Sequence, residues 1–446
     1  MNLKKIFFIL SFASWFTTIA QQVWSLEECV DYAIENNLQL NDFEYTEQSN
    51  KETYRQSVRN LLPNINGYAD YNISFGRQVN PNDNSISNTE FFSNNYSISG
   101  SFDVFQGFQK INSIKASKFL YRAAKEESVQ QKYLLAFRVM RAFYDIQFIE
   151  GLIIISEEQV EISKTNFELV KKQIEVGLMA GADLYEAESL LLADELLLTQ
   201  NNNRLAAAKL TLIQAMNLKG ETDILIRPEI ENSEKEENLK MTSDSVFNTA
   251  MTFIPLIKAQ ELRVKAAKKQ VAIARGNLAP SIAIQGGYGT GYFETITDTL
   301  GVTIPFRSQF RDNTNQFVGV SLNVPISNGW SGRSRIKQQK IALARAKNNF
   351  EIQEQELYQL IQQLVQEYNA LNTEVLQTAK RSNSQELAFE IAQKRYEKGL
   401  INAIELGRAK TLFATAQNEN LQVRLRLKVN KSTLDFYNNL SIFNIN

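Results

Sequence analysis

Four short stretches of this chain place apolar residues at every second position. From 65 to 75 the odd positions are Ile65, Gly67, Ala69, Tyr71, Ile73 and Phe75, while Asn64, Asn66, Tyr68, Asp70, Asn72 and Ser74 fill the even ones. From 95 to 105 the apolar residues move to even positions: Tyr96, Ile98, Phe102 and Val104, against Asn95, Ser97, Ser99, Ser101 and Asp103. Ile282, Ile284, Tyr288 and Tyr292 mark a third stretch. Val318, Val320, Leu322, Val324 and Ile326 mark a fourth, with Asn315, Ser321 and Asn323 opposite. Successive strand side chains point to opposite faces, so this alternation predicts four strands, each apolar on one face and polar on the other. Their expected spans are about 64–76, 94–106, 281–293 and 314–326. Asn- and Ser-rich residues Arg77 to Ser93, with Pro81, read as a long exposed loop. A second loop carries Gly301, Pro305, Arg307, Arg311 and Asp312.

Between these strand pairs the period changes. Leu134, Phe137, Met140, Tyr144 and Phe148 recur in steps of three and four, as do Leu357, Leu360, Leu364, Tyr368, Leu371 and Val375. That spacing buries one stripe of a helix. All seven prolines lie outside 109–218 and 330–440. A helix of some 68 residues spans roughly 100 Å at its rise of 1.5 Å per residue, a length typical of coiled coils rather than globular helices. Each long helix stops at glycine, Gly177 with Gly181 in one case and Gly399 in the other, and a second helix runs back over about 182–218 and 403–440. Glycine at such a place is a left-handed helix cap, so two helical hairpins are expected, with tips near 177–183 and 399–405. Residues 25–61 read as a further helix ending before Pro63.

The chain is written twice. Ala33 and Leu40 match Ala250 and Ile257 at an offset of 217, and Pro63 matches Pro280. Gly107 then matches Gly329, and Gly177-Leu178 matches Gly399-Leu400, at an offset of 222. One change of five residues, between about 76 and 94, accounts for both registers. The expected organisation is a signal peptide at 1–20, a first repeat at 21–230 and a second at 231–446. An acidic linker, Lys219 to Met241, joins the repeats.

Lys4 and Lys5, the apolar run Ile6 to Phe16 and the small-residue site Thr18-Ile19-Ala20 give the signal reading. No later run reaches the ~18 apolar residues that suggest a membrane-spanning helix. An exported chain of this kind that spans a membrane must therefore do so as a β-barrel. The chain has no histidine, which removes His-based nucleophile systems and His metal sites, and one cysteine, Cys29, which forms no internal disulfide. Net charge is −1, so nothing suggests a nucleic-acid footprint. Carboxylate chemistry stays open in principle, with no motif that calls for it. Four strands cannot close a barrel, since closed barrels begin at about eight. Two copies would supply eight strands and three would supply twelve. A soluble sandwich would also accommodate the strands, and an exported coiled-coil scaffold protein with small β domains is the alternative reading of the whole.

The order helix, strand pair, long helical hairpin, repeated twice, resembles the TolC-like outer membrane factor family over nearly all of the chain. Val176-Gly177-Leu178-Met179-Ala180-Gly181-Ala182-Asp183-Leu184 looks like the family's first hairpin tip, and Lys398-Gly399-Leu400 through Glu405-Leu406 like the second. Pro325-Ile326-Ser327-Asn328-Gly329 resembles its turn from last strand to helix, with Asp103-Val104-Phe105-Gln106-Gly107 a looser copy. The resemblance implies a mainly α protein with a membrane β-barrel portion: a homotrimer whose twelve-stranded barrel sits in outer-membrane lipid and whose helical hairpins form a periplasmic tunnel. It implies a non-enzymatic duct without cofactor, working with a periplasmic adaptor protein and an inner-membrane pump in drug, metal or protein export. Gly177, Leu178, Gly181, Gly399 and Leu400 would meet the adaptor. By position, Asp183 and Tyr396 correspond to a hydrogen-bonded pair that holds the aperture shut, and Glu405 to an acid of the constriction. Ile401 stands where the family's gate arginine is expected, and Arg408 where a second acid is expected. Asp183 and Glu405 also have a local reason to be there, since acids in a first helical turn are favoured by the helix dipole.

Overall fold

The computed structural model describes residues 23–79, 84, 86–88, 90–177, 180–227, 242–440, 442, 443 and 445. The expected signal segment, Leu178 and residues 228–241 of the expected linker lie outside them.

The chain begins with β1 (Val23–Trp24), followed by α1 (Leu26–Asn36) and α2 (Leu38–Arg59). Ser25 starts α1 with a reciprocal cap: its hydroxyl accepts from the Glu28 N–H at 3.2 Å while the Glu28 carboxylate accepts from the Ser25 N–H at 2.7 Å. The single helix expected over 25–61 is in fact two. Asn37 turns its side-chain oxygen onto the N–H groups of Gln39 and Leu40, at 2.9 and 3.3 Å, and so begins a new helix. The second repeat breaks at the equivalent place by other means. Its helices α5 (Ser243–Phe253) and α6 (Pro255–Gly276) meet at Ile254, 217 positions after Asn37, with Pro255 in the first helical position, where a missing N–H costs nothing.

The strands are β2 (Asn64–Ser74), β3 (Arg77–Val79), β4 (Ile86–Asn88), β5 (Phe91–Gln106), β7 (Ser281–Phe293) and β8 (Asn315–Asn323), with β6 (Leu225–Ile226) lying apart. They form an antiparallel four-stranded sheet in the order β2-β5-β7-β8. Its register collects the alternating apolar residues on one face. Gly67 pairs Ile98, Ala69 pairs Tyr96, Ile98 pairs Tyr288, Phe102 pairs Ile284, and Ile284 pairs Val320. The opposite face carries Asn66 beside Ser99, Asp70 beside Asn95, and Ser101 beside Gln285. The apolar face is open: Val318 is 86% and Val320 71% exposed. β8 stops at Asn323, three residues short of the alternating pattern, because Pro325 has no N–H for a ladder.

Two loops hold more structure than their composition suggested. Arg77 to Ser93 contains the paired strands β3 and β4 and the start of β5. The second loop contains a short helix, α7 (Phe306–Asp312). Buried Gln309 fastens it to the end of β7, accepting from the Phe293 N–H and donating to the Phe293 carbonyl, both at 3.0 Å.

The long helices are α3 (Gln109–Glu175) and α8 (Ser331–Glu397), followed by α4 (Gly181–Met216) and α9 (Ala403–Tyr437). α3 and α8 each contain 67 residues and are displaced by 222 positions at both ends. Strand-to-helix turns before them use two consecutive left-handed residues, Gly107-Phe108 and Gly329-Trp330. Among the described residues no helix is long and apolar enough to cross a membrane.

By contacts the chain forms two compact units. One comprises the segment up to Glu44 with Glu127–Pro255 and Glu354–Asn446, and the other comprises Tyr45–Glu126 and Leu256–Gln353. The sheet belongs to the second unit. In the first, the principal core joins Cys29, Val30 and Ala33 of α1 to Val139, Met140, Phe143 and Ile146 of α3 and to Leu212 and Met216 of α4. Cys29 is fully buried there. Burial, with the Glu28 carboxylate adding to it, pushes its thiol up to about 12.

Candidate functional site at the hairpin tips

The two tips are built by different local chemistry. At the second, Gly399 adopts φ +70°. Its N–H donates to the Tyr396 carbonyl at 2.8 Å and the Leu400 N–H donates to the Arg395 carbonyl at 2.9 Å, satisfying the last carbonyls of α8. Asn402 then caps α9, accepting from the Glu405 N–H at 2.9 Å. At the first tip Gly177 turns with φ +78°. α4 has no side-chain cap at Ala180. Instead the Asp183 carboxylate reaches back and accepts from the Ala180 N–H at 3.1 Å. Gly181 is the first residue of α4 and is not left-handed.

Behind the tips all four long helices share one apolar cluster. Val170 of α3 and Ala187 of α4 meet Phe389 and Tyr396 of α8 and Ala403, Leu406 and Phe413 of α9. Tyr396 is 2% exposed, and its hydroxyl has no hydrogen-bond partner among the described residues. Burial raises its phenol pKa, and the Asp183 and Glu186 carboxylates raise it further. Asp183 therefore lies within electrostatic reach of Tyr396, yet its carboxylate caps its own helix. The Asp183–Tyr396 hydrogen bond implied by the resemblance is not made within this chain. Glu405 and Arg408 are exposed on the first turns of α9. Val176, Tyr185, Leu400 and Ile404 leave large apolar side chains open around the tips.

One layer further from the tips lies a cluster that the sequence reading missed. Ser163 of α3 donates to Asp194 of α4 at 2.5 Å. The ammonium of Lys410, from α9, donates to both the Asp194 carboxylate and the Ser163 hydroxyl. Lys410 is buried, and burial depresses its pKa while Asp194 counters part of that shift. A second polar layer follows, in which buried Asn201 of α4 donates to Ser156 of α3 at 2.7 Å. The signal was available in two forms. Ser156, Ser163 and Val170 recur every seven residues on α3 and face Asn201, Asp194 and Ala187 at the same spacing on α4. Lys410 interrupts the apolar series Leu406, Phe413 on α9. Nothing in this arrangement resembles catalytic machinery. It offers mechanical contacts between helices.

Two strand pairs joined in one sheet with an open apolar face, each followed by a long helical hairpin, make a plan that is written twice along the chain. The family model for outer membrane efflux protein matches residues 29–218 and again 250–439, and the chain belongs to that family. It is 24% identical over 345 residues to outer membrane protein TolC of Vibrio cholerae, covering 75% of this chain and 72% of that one. It is 20% identical over 325 residues to outer membrane efflux protein BepC of Brucella suis, covering 73% and 66%. Among solved structures, CusC superimposes with a TM-score of 0.79 at 18% identity over 92% of this chain and 91% of that one. The outer membrane protein VceC of Vibrio cholerae gives 0.77 at 14% identity, over 92% and 95%. The two matched segments fall one in each repeat, and the family supports an efflux-channel role in the outer membrane.

Proposed function

We propose that this chain is one third of a homotrimeric duct that carries cargo from the periplasm across the outer membrane, as the exit component of a tripartite efflux pump or a type I secretion system. The sheet carries this reading. Its edge strands β2 and β8 each present one unpaired row of backbone groups, and one face is mostly apolar, interrupted by Asn94, Thr290 and Gln316. In lipid an unpaired backbone group costs several kcal/mol, so such edges need partners. β2 of one copy beside β8 of the next supplies them, and three copies close twelve strands, a number that leaves a lumen. The long hairpins then lie on the periplasmic side. Their open tip residues, Leu400 with the turns at Gly177, Gly181 and Gly399, meet a periplasmic adaptor coupled to an inner-membrane pump. Leu178 belongs to the same turn by sequence. Asp183, Glu405 and Arg408 border the aperture, and the Tyr396 ring anchors the tip from within. Energy for transport comes from the pump, so the duct itself uses no cofactor.

The test is the native mass of the detergent-extracted protein by light scattering. A mass near three chains is expected. A monomer in detergent, or a protein that stays in solution without it, would overturn the duct and leave the exported coiled-coil scaffold.

A further inference from the structure

Lys410, Asp194 and Ser163 join three helices and, more importantly, two hairpins. Asp194 and Ser163 belong to the first hairpin, and Lys410 reaches them from the second. The layer lies within the span of the tip cluster, with Leu406 and Phe413 on either side of Lys410 along α9. Apolar layers adapt to small shifts and tilts between helices, because dispersion contacts are non-directional and rotamers readjust. A buried ammonium is different. It keeps its charge only while its acceptors remain in place, and a shift of one residue strands it in an apolar seam. Buried polar groups of this kind are best attested as devices that set register between helices.

The duplication sharpens the point. At an offset of 222, Lys410 corresponds to Glu188, Asp194 to Ala416 and Ser163 to Gln385. Glu188 is exposed and Ala416 is buried. The reciprocal contact, in which the first hairpin would reach into the second, has no pair of opposite charges to make it, since the Glu188 carboxylate would face Ala416 and Gln385. The tie is thus one-sided: each first hairpin is clasped by the second hairpin of its own chain. Tyr396, whose hydroxyl has no hydrogen-bond partner among the described residues, does not duplicate this tie.

We propose that Lys410 is a positioning residue for transport: it clasps the second hairpin to the first through Asp194 and Ser163, and this clasp holds the tips in the resting, closed register. The proposal rests on the duct reading and adds to it where closure is enforced, one layer behind the tips rather than at them.

The experiment is single-channel conductance of the purified full-length protein in planar lipid bilayers. Lys410→Met and Asp194→Leu each remove one partner, and the double variant replaces the whole pair by apolar groups of comparable shape. The double variant is expected to fold and assemble, because an apolar pair is often as stable as a buried ionic one. All three are expected to raise the resting open-to-closed ratio on the order of ten-fold, the scale of a close charge pair. The double variant should do so by no more than either single one, since both singles break the same contact. The exchanged pair, Lys410→Asp with Asp194→Lys, should bring the ratio back toward that of the unaltered protein. An assembled double variant with unchanged resting conductance would overturn the clasp and leave the duct intact. Strictly additive effects of the two single variants would also overturn it. An unaltered protein that forms no pore would overturn the duct and the clasp with it.

Discussion

The two repeats share a frame and differ where they touch one another. Both long helices have 67 residues, both begin after a pair of left-handed residues, and both turn at a left-handed glycine. Yet the first hairpin caps its return helix with Asp183 and the second with Asn402. The first strand pair is connected by the short strands β3 and β4, and the second by the helix α7. The first hairpin offers a carboxylate and a hydroxyl to the second, which answers with an ammonium. Two copies of one plan, once side by side in a single chain, no longer have to be self-complementary. Each can specialise as one partner of a heterologous contact, as Asp194 and Lys410 do.

The largest contrast is expected at the strand-to-helix turns. A Cβ on Gly107 would stand 2.4 Å from the Gly276 carbonyl oxygen and 2.7 Å from the Ala279 Cβ, whereas nothing lies within 4 Å of the equivalent position on Gly329. Both glycines are left-handed, with φ +56° and +60°. Gly329→Ala should therefore cost only the conformational penalty, about 1–2 kcal/mol. Gly107→Ala adds a backbone collision and should cost about 5 kcal/mol or prevent folding altogether. Thermal unfolding of the two variants in detergent measures the gap, and equal melting temperatures would show that the turns are energetically alike.

Leu212 and Leu434 provide the opposite test. They are equivalent at the 222 offset, and both are fully buried. Leu212→Ala and Leu434→Ala should each destabilise by about 3 kcal/mol, through lost burial and the cavity left behind. Denaturant midpoints that differ widely would show that the shared frame does not extend to packing.

The smallest effect is expected at Cys29, whose equivalent at the 217 offset is the buried Val246. Cys29→Val is close to volume-conserving and should leave the melting temperature nearly unchanged. The native thiol, held protonated up to about 12, should resist maleimide at neutral pH and react only on unfolding. Its contribution to stability has a definite sign. The native thiol pKa lies above the ordinary value, so this contribution is complete below about pH 9 and is lost as pH rises from there toward about 12. Cys29→Val should abolish that alkaline slope.

Much of this was legible in the residues because it is periodic. Alternation through Ile65 to Ile73 and through Val318 to Leu322 specifies a face, and a one-residue slip would reverse it, so the register follows from the pattern. The 67-residue helices follow from the absence of proline and the spacing of their apolar stripe. What escaped was local or non-local in a way that period does not record. The break at Asn37 depends on one side chain turning back on its own backbone. Helix α7 is too short for a stripe and depends on Gln309 finding Phe293. β1 and β6 are two residues each and meet across some 200 positions. Lys410 sits on a helical stripe where leucine would be unremarked, and its partners lie 216 and 247 residues away. The Asp183–Tyr396 bond was expected from family position alone; within the chain the Asp183 carboxylate accepts from the Ala180 N–H, and the Tyr396 hydroxyl has no partner among the described residues.

The parallel pair of β1 and β6 has a consequence for the repeat. Val23 lies beside Leu225 and Trp24 beside Ile226, in the same direction. The first repeat therefore leaves the fold where it entered, heading the same way. A unit whose ends lie side by side in this way can be repeated in one chain without tearing the original, and the family model matches this chain twice, at 29–218 and 250–439.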